Sequence, residues 1–187
     1  GDVLIGMILT FDRAKEASPI FDASYVPEFD SFMSTFKGVK VVSTNPLTIE
    51  TYADSLQPDA ENTISTWWPY YNQGEGAWHN LYLGMLAEEA GDASFSSDKV
   101  EVIEGEWLNY VAGETLEMMA KHFDDDLTLP YEPTFSQFVT ADELQSRMEN
   151  LKAFYEAYGH LWVGTGALYI KEAHPIEKQL LMARFED

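Results

Sequence analysis

No cysteine occurs in this 187-residue chain. A disulfide framework and every thiol-based mechanism are therefore excluded, although the absence fits either redox compartment. Bases are scarce as well: 11 Lys and Arg stand against 32 Asp and Glu, for a net charge of −21. Between Lys40 and Lys99 there is no base and there are nine acids, and the span 122–146 again has no Lys or Arg and six acids. Surfaces of that sign repel polyanions, so neither nucleic acid nor an anionic membrane surface is an expected partner. A ligand meeting these stretches should be neutral or cationic. The plain explanation of the charge is solubility, or a saline or acidic habitat. No apolar run approaches the roughly 20 residues of a membrane span. No signal peptide is evident, and the chain starts without Met in helix-like sequence, as a mature or truncated piece would.

Chemical motifs are also missing. There is no Gly-x-Ser-x-Gly elbow and no P-loop. His79, His122, His160 and His174 show no i, i+4 metal spacing, and the Asp124-Asp125-Asp126 run beside His122 lacks the ligand pattern of a calcium loop. No metal or cofactor is expected. Glu88-Glu89 and Glu104-x-Glu106 could be drawn as glycosidase pairs, but with 32 acids such neighbours arise by chance.

What is present is apolar and patterned. Apolar residues make up 45% and aromatics 14%, enough for one domain, residues 1–187, with a sizeable core. Asp2 is placed to cap a first helix carrying Val3, Leu4, Met7, Ile8 and Phe11. Pro27 should open a short helix bearing Phe29, Phe32, Met33 and Phe36, ended by Gly38. Alternation at Val39 and Val41, then at Leu47, Ile49 and Thr51, around a Ser43-Thr44-Asn45-Pro46 turn, predicts a hairpin. Further helices are predicted over Trp78, Leu81, Tyr82 and Met85 with Gly91 as stop, around Trp107, Tyr110 and Val111, and through Leu116, Met119 and Phe123. Residues 127–138 read as loop. Thr140 and Glu143 form a capping box for a helix with Leu144, Met148, Leu151, Tyr155 and Tyr158 buried and Gly159 as its left-handed stop. A Gly164-Thr165-Gly166 corner then leads into a second hairpin that turns at His174-Pro175. The predicted class is α+β. Since neither hairpin is stable alone in water, the two should pair into one small antiparallel sheet of about four strands, with helices packed on it and a helical middle inserted.

Trp67, Trp68, Tyr70, Tyr71 and Trp78 are the candidate ligand-binding residues. Aromatic faces stack on sugar rings and apolar side chains, and the acids around them could hold a cation. The competing reading is that they pack the helical middle onto the sheet. Gly164, Thr165 and Gly166 are assigned to a structural turn.

The run from Gly159 to Lys171, containing Val163-Gly164-Thr165-Gly166, with Glu177 to Arg184 after it, resembles the Gly-Thr-Gly strand–turn–strand segment of the family 5 extracellular solute-binding proteins. These are the dipeptide, oligopeptide and nickel-type receptors of ABC importers. Asp2-Val3 with Phe11-Asp12-Arg13-Ala14 is similar to that family's opening helix, and Phe36 to Val42 with Pro46 to Glu50 resembles its next hairpin. Ala167 stands where the family usually has Pro. The resemblance implies an internal part of the first lobe of a larger two-lobe receptor, with no catalytic residues. It also implies a peptide or oligosaccharide solute, delivery to a membrane permease by the full-length protein, and a periplasmic or extracellular place held at the membrane through that protein. The rival expectations are a free-standing carbohydrate- or peptide-binding module built on the aromatic group, and a hydrolase using a carboxylate pair.

Overall fold

A computed structural model describes residues 1–55, 58–59, 77–164 and 166–186. The first helix, α1, spans Asp2–Asp12. Asp2 does not cap it. Gly1 is the N-cap, and the Asp2 carboxylate instead accepts the backbone N–H of Trp78 at 2.8 Å. Trp78 opens the central helix α3, Trp78–Glu89, so Asp2 satisfies a free N–H of a helix that starts 76 residues further on. Helix α2, Val26–Met33, has Pro27 in its first turn as expected. It stops earlier than predicted: Phe36 and Gly38 already belong to strand β1, Phe36–Thr44.

β1 pairs antiparallel with β2, Leu47–Ala53, in the predicted hairpin, with Val41 opposite Ile49 and Val39 opposite Thr51. Phe32 and Phe36 rings lie 4.7 Å apart, and Phe11 meets Phe29 and Phe36 at 5.6 Å each, which ties the hairpin base to α1 and α2.

α3 is buried on all sides, with ten of its twelve residues inside, so an amphipathic stripe understates its role. It is followed by β3, Ala93–Ser94, α4, Ser97–Ile103, and β4, Glu106–Trp107. β3 and β4 form a short parallel pair. Trp107, Tyr110 and Val111 are therefore not helical as predicted. The Trp107 indole donates to the Phe95 carbonyl, and the Asn109 side chain accepts from the N–H groups of Val111 and Ala112, which holds that stretch as strand and turn. α5, Glu114–Lys121, and α6, Ala141–Tyr158, follow. α6 begins and ends as its sequence dictates: the Thr140 hydroxyl accepts from the Glu143 N–H at 3.1 Å, and Gly159 adopts φ +72°. The core gathers Ile5 and Leu9 of α1, most of α3, Leu116 and Met119 of α5, and Leu144, Met148 and Leu151 of α6.

The α+β class is as expected, but the sheet is divided. Among the described residues the last hairpin, β5 (Leu168–His174) with β6 (Gln179–Arg184), pairs only with itself, as does β1–β2. α1, α5 and α6 pack on α3 rather than on a shared four-stranded sheet, so each hairpin touches the helical body at its own place, β1 at α2 and β5 at α6. Both retain exposed apolar residues, including Val42, Leu47, Leu168, Leu180 and Met182, each more than 40% accessible.

Close packing around α3 gives a direct test. A Cβ on Gly84 would lie 2.6 Å from the Tyr110 hydroxyl and 2.7 Å from the Phe95 ring. Overpacking costs about 1–3 kcal/mol, against a helix-propensity gain of about 1 kcal/mol for Ala over Gly. Gly84→Ala should therefore destabilise by roughly 1 kcal/mol in urea titration. Gly6→Ala on α1, where the added methyl meets nothing within 4 Å, should stabilise by up to about 1 kcal/mol.

Candidate functional site

Trp67, Trp68, Tyr70, Tyr71 and Thr165 lie outside the described residues. Trp78 is fully buried: its ring meets Phe135 edge-on at 5.1 Å, with the Arg147 guanidinium 5.8 Å from its centre. It occupies a core position and presents no face to solvent. Gly164 and Gly166 flank the entry to β5, but neither adopts positive φ, and a Cβ on Gly164 would meet nothing within 4 Å. The chain turns here without using the conformational freedom of either glycine.

Next to that corner is a 540 Å³ cleft between the end of α6 and the β5–β6 hairpin. Phe154 and Tyr158 come from one face of α6, four residues apart, with ring centres 4.7 Å apart. Tyr169 of β5 meets Tyr158 at 5.3 Å, and a hydrogen bond between the two phenols raises the pKa of Tyr169. Lys171, Arg184 and Glu186 supply the charges, and Gly164 lines the wall. Buried His160 braces the base. Its Nδ1 accepts the Trp162 N–H at 3.2 Å, so Nε2 carries the proton and donates to the Ile170 carbonyl at 3.0 Å. A second hollow of 370 Å³, between α1, β1 and residues 134–138, has no charged residue in its lining.

The cations of the cleft differ from most of those in this chain in lacking a carboxylate partner. Arg13, Lys15, Lys37, Lys40, Lys99, Arg147 and Lys152 each reach a carboxylate. Among the described residues, Lys121, Lys171, Lys178 and Arg184 make no ion pair, and the last three belong to the last hairpin or its turn. Their signal in the sequence is faint: two bases in a paired hairpin and an aromatic pair at i, i+4 on α6, each innocuous until the fold joins them.

Glu88, drawn above with Glu89 as a carboxylate pair, is instead the centre of a buried ion cluster. Its Oε2 accepts from Arg13 Nη1 at 2.6 Å and from the Phe95 N–H at 3.1 Å, and its Oε1 accepts from Lys99 Nζ at 2.5 Å. Arg13 Nη2 also donates to Asp22 at 3.1 Å. Burial pushes the Asp22 carboxyl up, but hydrogen bonds from Ser24 and Arg13 outweigh it and leave the group below its ordinary value. Two positive and two negative groups thus balance inside the protein, and Glu88 is held by donors rather than aimed at a substrate. Glu104 and Glu106 are exposed. His122 pairs with Asp125 at 2.6 Å and Asp124 with Lys152 at 2.7 Å. Among the described residues no group of three or more metal-ligating side chains converges, and no helix is long and apolar enough to cross a membrane.

His79, on α3, is the histidine most altered by its surroundings. Burial, reinforced by the Arg147 charge, pulls its pKa down to about 4, against weaker opposing effects of Asp2 and Glu143. The folded state therefore binds fewer protons than the unfolded state between the ordinary histidine value and that point. His79 favours folding fully above about pH 6.5, and this contribution falls away as pH drops towards 4. The urea midpoint should decline across that window, and His79→Gln should flatten the decline. An unchanged pH profile in the variant would remove His79 as its source.

Compared with known proteins, the chain matches no family model, and a search of curated proteins finds no match.

Proposed function

We propose that this chain is part of the first lobe of a solute receptor serving an ABC importer, outside the cytoplasmic membrane, and that the receptor binds a peptide or oligosaccharide and passes it to a membrane permease. The carrying observation is the order of the three resembling segments. They fall in sequence on helix α1 with Arg13, on the β1–β2 hairpin and on the β5–β6 hairpin. The exposed apolar residues of both hairpins add support. A lone two-stranded hairpin is marginal in water, and exposed apolar patches mark contact surfaces. Further strands of a larger lobe would cover both. In this reading the protein performs no covalent chemistry: two lobes close on the solute, and the closed form docks on the permease.

The coding sequence around this segment provides the first test, and permease and ATPase genes should adjoin a longer reading frame. Calorimetry supplies the second. The longer protein should bind short peptides or oligosaccharides at least about tenfold more tightly than the 187-residue chain, a difference of about 1.4 kcal/mol. Equally tight binding by the 187-residue chain would overturn the receptor-lobe reading in favour of a free-standing binding module.

A further inference from the structure

We infer that the cleft between α6 and the β5–β6 hairpin is a binding site for a small aromatic carboxylate. The inference does not depend on the importer reading, because every group it uses lies in this chain.

Charge is the first support. In a chain with 32 acids and 11 bases, Lys171 and Arg184 both line this cleft without an ion pair among the described residues. Elsewhere the chain repels anions, so a cleft with two free cations and one acid, Glu186, is where an anion meets net attraction. Arg184 offers a planar fork suited to a carboxylate, and Lys171 a second point charge.

Shape and lining decide what accompanies the anion. A volume of 540 Å³ falls within the range of small-molecule pockets, about 300–1,000 Å³, and far exceeds what a simple inorganic anion fills. Phe154, Tyr158 and Tyr169 present aromatic walls beside the cations. A flat apolar body can stack there while its carboxylate reaches the bases. Gly164 keeps that wall low, since it has no side chain and its missing Cβ would stand in open space. The base is stiff, because His160 is fixed by hydrogen bonds at both ring nitrogens.

The test titrates the intact chain with 3-phenylpropionate, followed by backbone amide NMR shifts. Saturable shifts clustered at Gly164, Tyr169, Lys171 and Arg184, with Kd of about 1 mM or tighter, are the expected result. The neutral analogue 3-phenylpropionamide should bind at least about tenfold more weakly, and so should acetate, which lacks the ring. The pair Lys171→Gln and Arg184→Gln should weaken 3-phenylpropionate by a similar factor. Both side chains are exposed, so the variant should retain the amide dispersion of the parent chain. Tyr169→Ala should weaken binding without removing its salt dependence. Absence of saturable shifts, shifts centred elsewhere, or equal binding of acid and amide would each overturn the inference.

Discussion

Glu88→Ala should destabilise the protein by about 3–5 kcal/mol, the range for breaking a buried ion pair by removing one partner. The size follows from what remains. Arg13, wholly buried, would lose its 2.6 Å carboxylate contact while its 3.1 Å contact with Asp22 remains. The Phe95 N–H and Lys99 would each lose an acceptor. Against a typical total stability of 5–15 kcal/mol, this change alone could unfold a marginal domain. Glu88→Gln keeps the shape and one acceptor oxygen and should cost less. A double-mutant cycle with Arg13→Met separates the pair from its surroundings: the double variant should lose much less than the sum of the two single losses. A loss under about 1 kcal/mol for Glu88→Ala would mean that water reaches the cluster and screens it.

Trp78→Ala should cost a comparable 3–5 kcal/mol, the usual penalty for emptying a buried aromatic site. The indole fills the space between Phe135 and the start of α1, so closely that a Cβ on Gly1 would come within 2.4 Å of it. Collapse into the void is hindered because the backbone N–H of Trp78 is held by Asp2 and α3 is packed on every side. Trp78→Phe should be much milder. It keeps an aromatic contact with Phe135 and deletes an indole N–H that has no hydrogen-bond partner among the described residues. Chemical denaturation of both variants checks the pair. Equal losses for Ala and Phe would show that ring volume is not what matters at this site.

These two residues also show where sequence reading succeeds and where it stops. Both bear on segments singled out in the sequence, yet for other reasons. Trp78 was a ligand candidate because aromatics and acids cluster near it, whereas the fold places it in the core. Arg13 belonged to the segment that resembles a receptor's opening helix. Its physical task, closing a charge cluster with Asp22 and Glu88, involves a contact spanning 75 residues of chain that no local pattern announces.

Local forces were legible. The α6 boundaries follow from a hydroxyl that satisfies a free N–H and a glycine that takes positive φ, both short-range effects. The β1–β2 turn and its alternation are equally local. Trp107 to Val111 misled because an apolar i, i+3, i+4 spacing occurs there by chance. The backbone is held by long-range partners instead, Ser94 across the strand pair and Phe95 through the indole.

The chain by itself determined its acidity, its lack of thiol chemistry, its α+β class, and the caps and turns that bound several elements, because each depends on composition or on neighbours within a few residues. Tertiary structure alone decided that α3 is central, that the two hairpins stay apart, that Glu88 is structural, and that Lys171 and Arg184 share a cleft with Phe154 and Tyr158. Those outcomes depend on which distant surfaces bury one another, and on which charges then find a partner once water is removed.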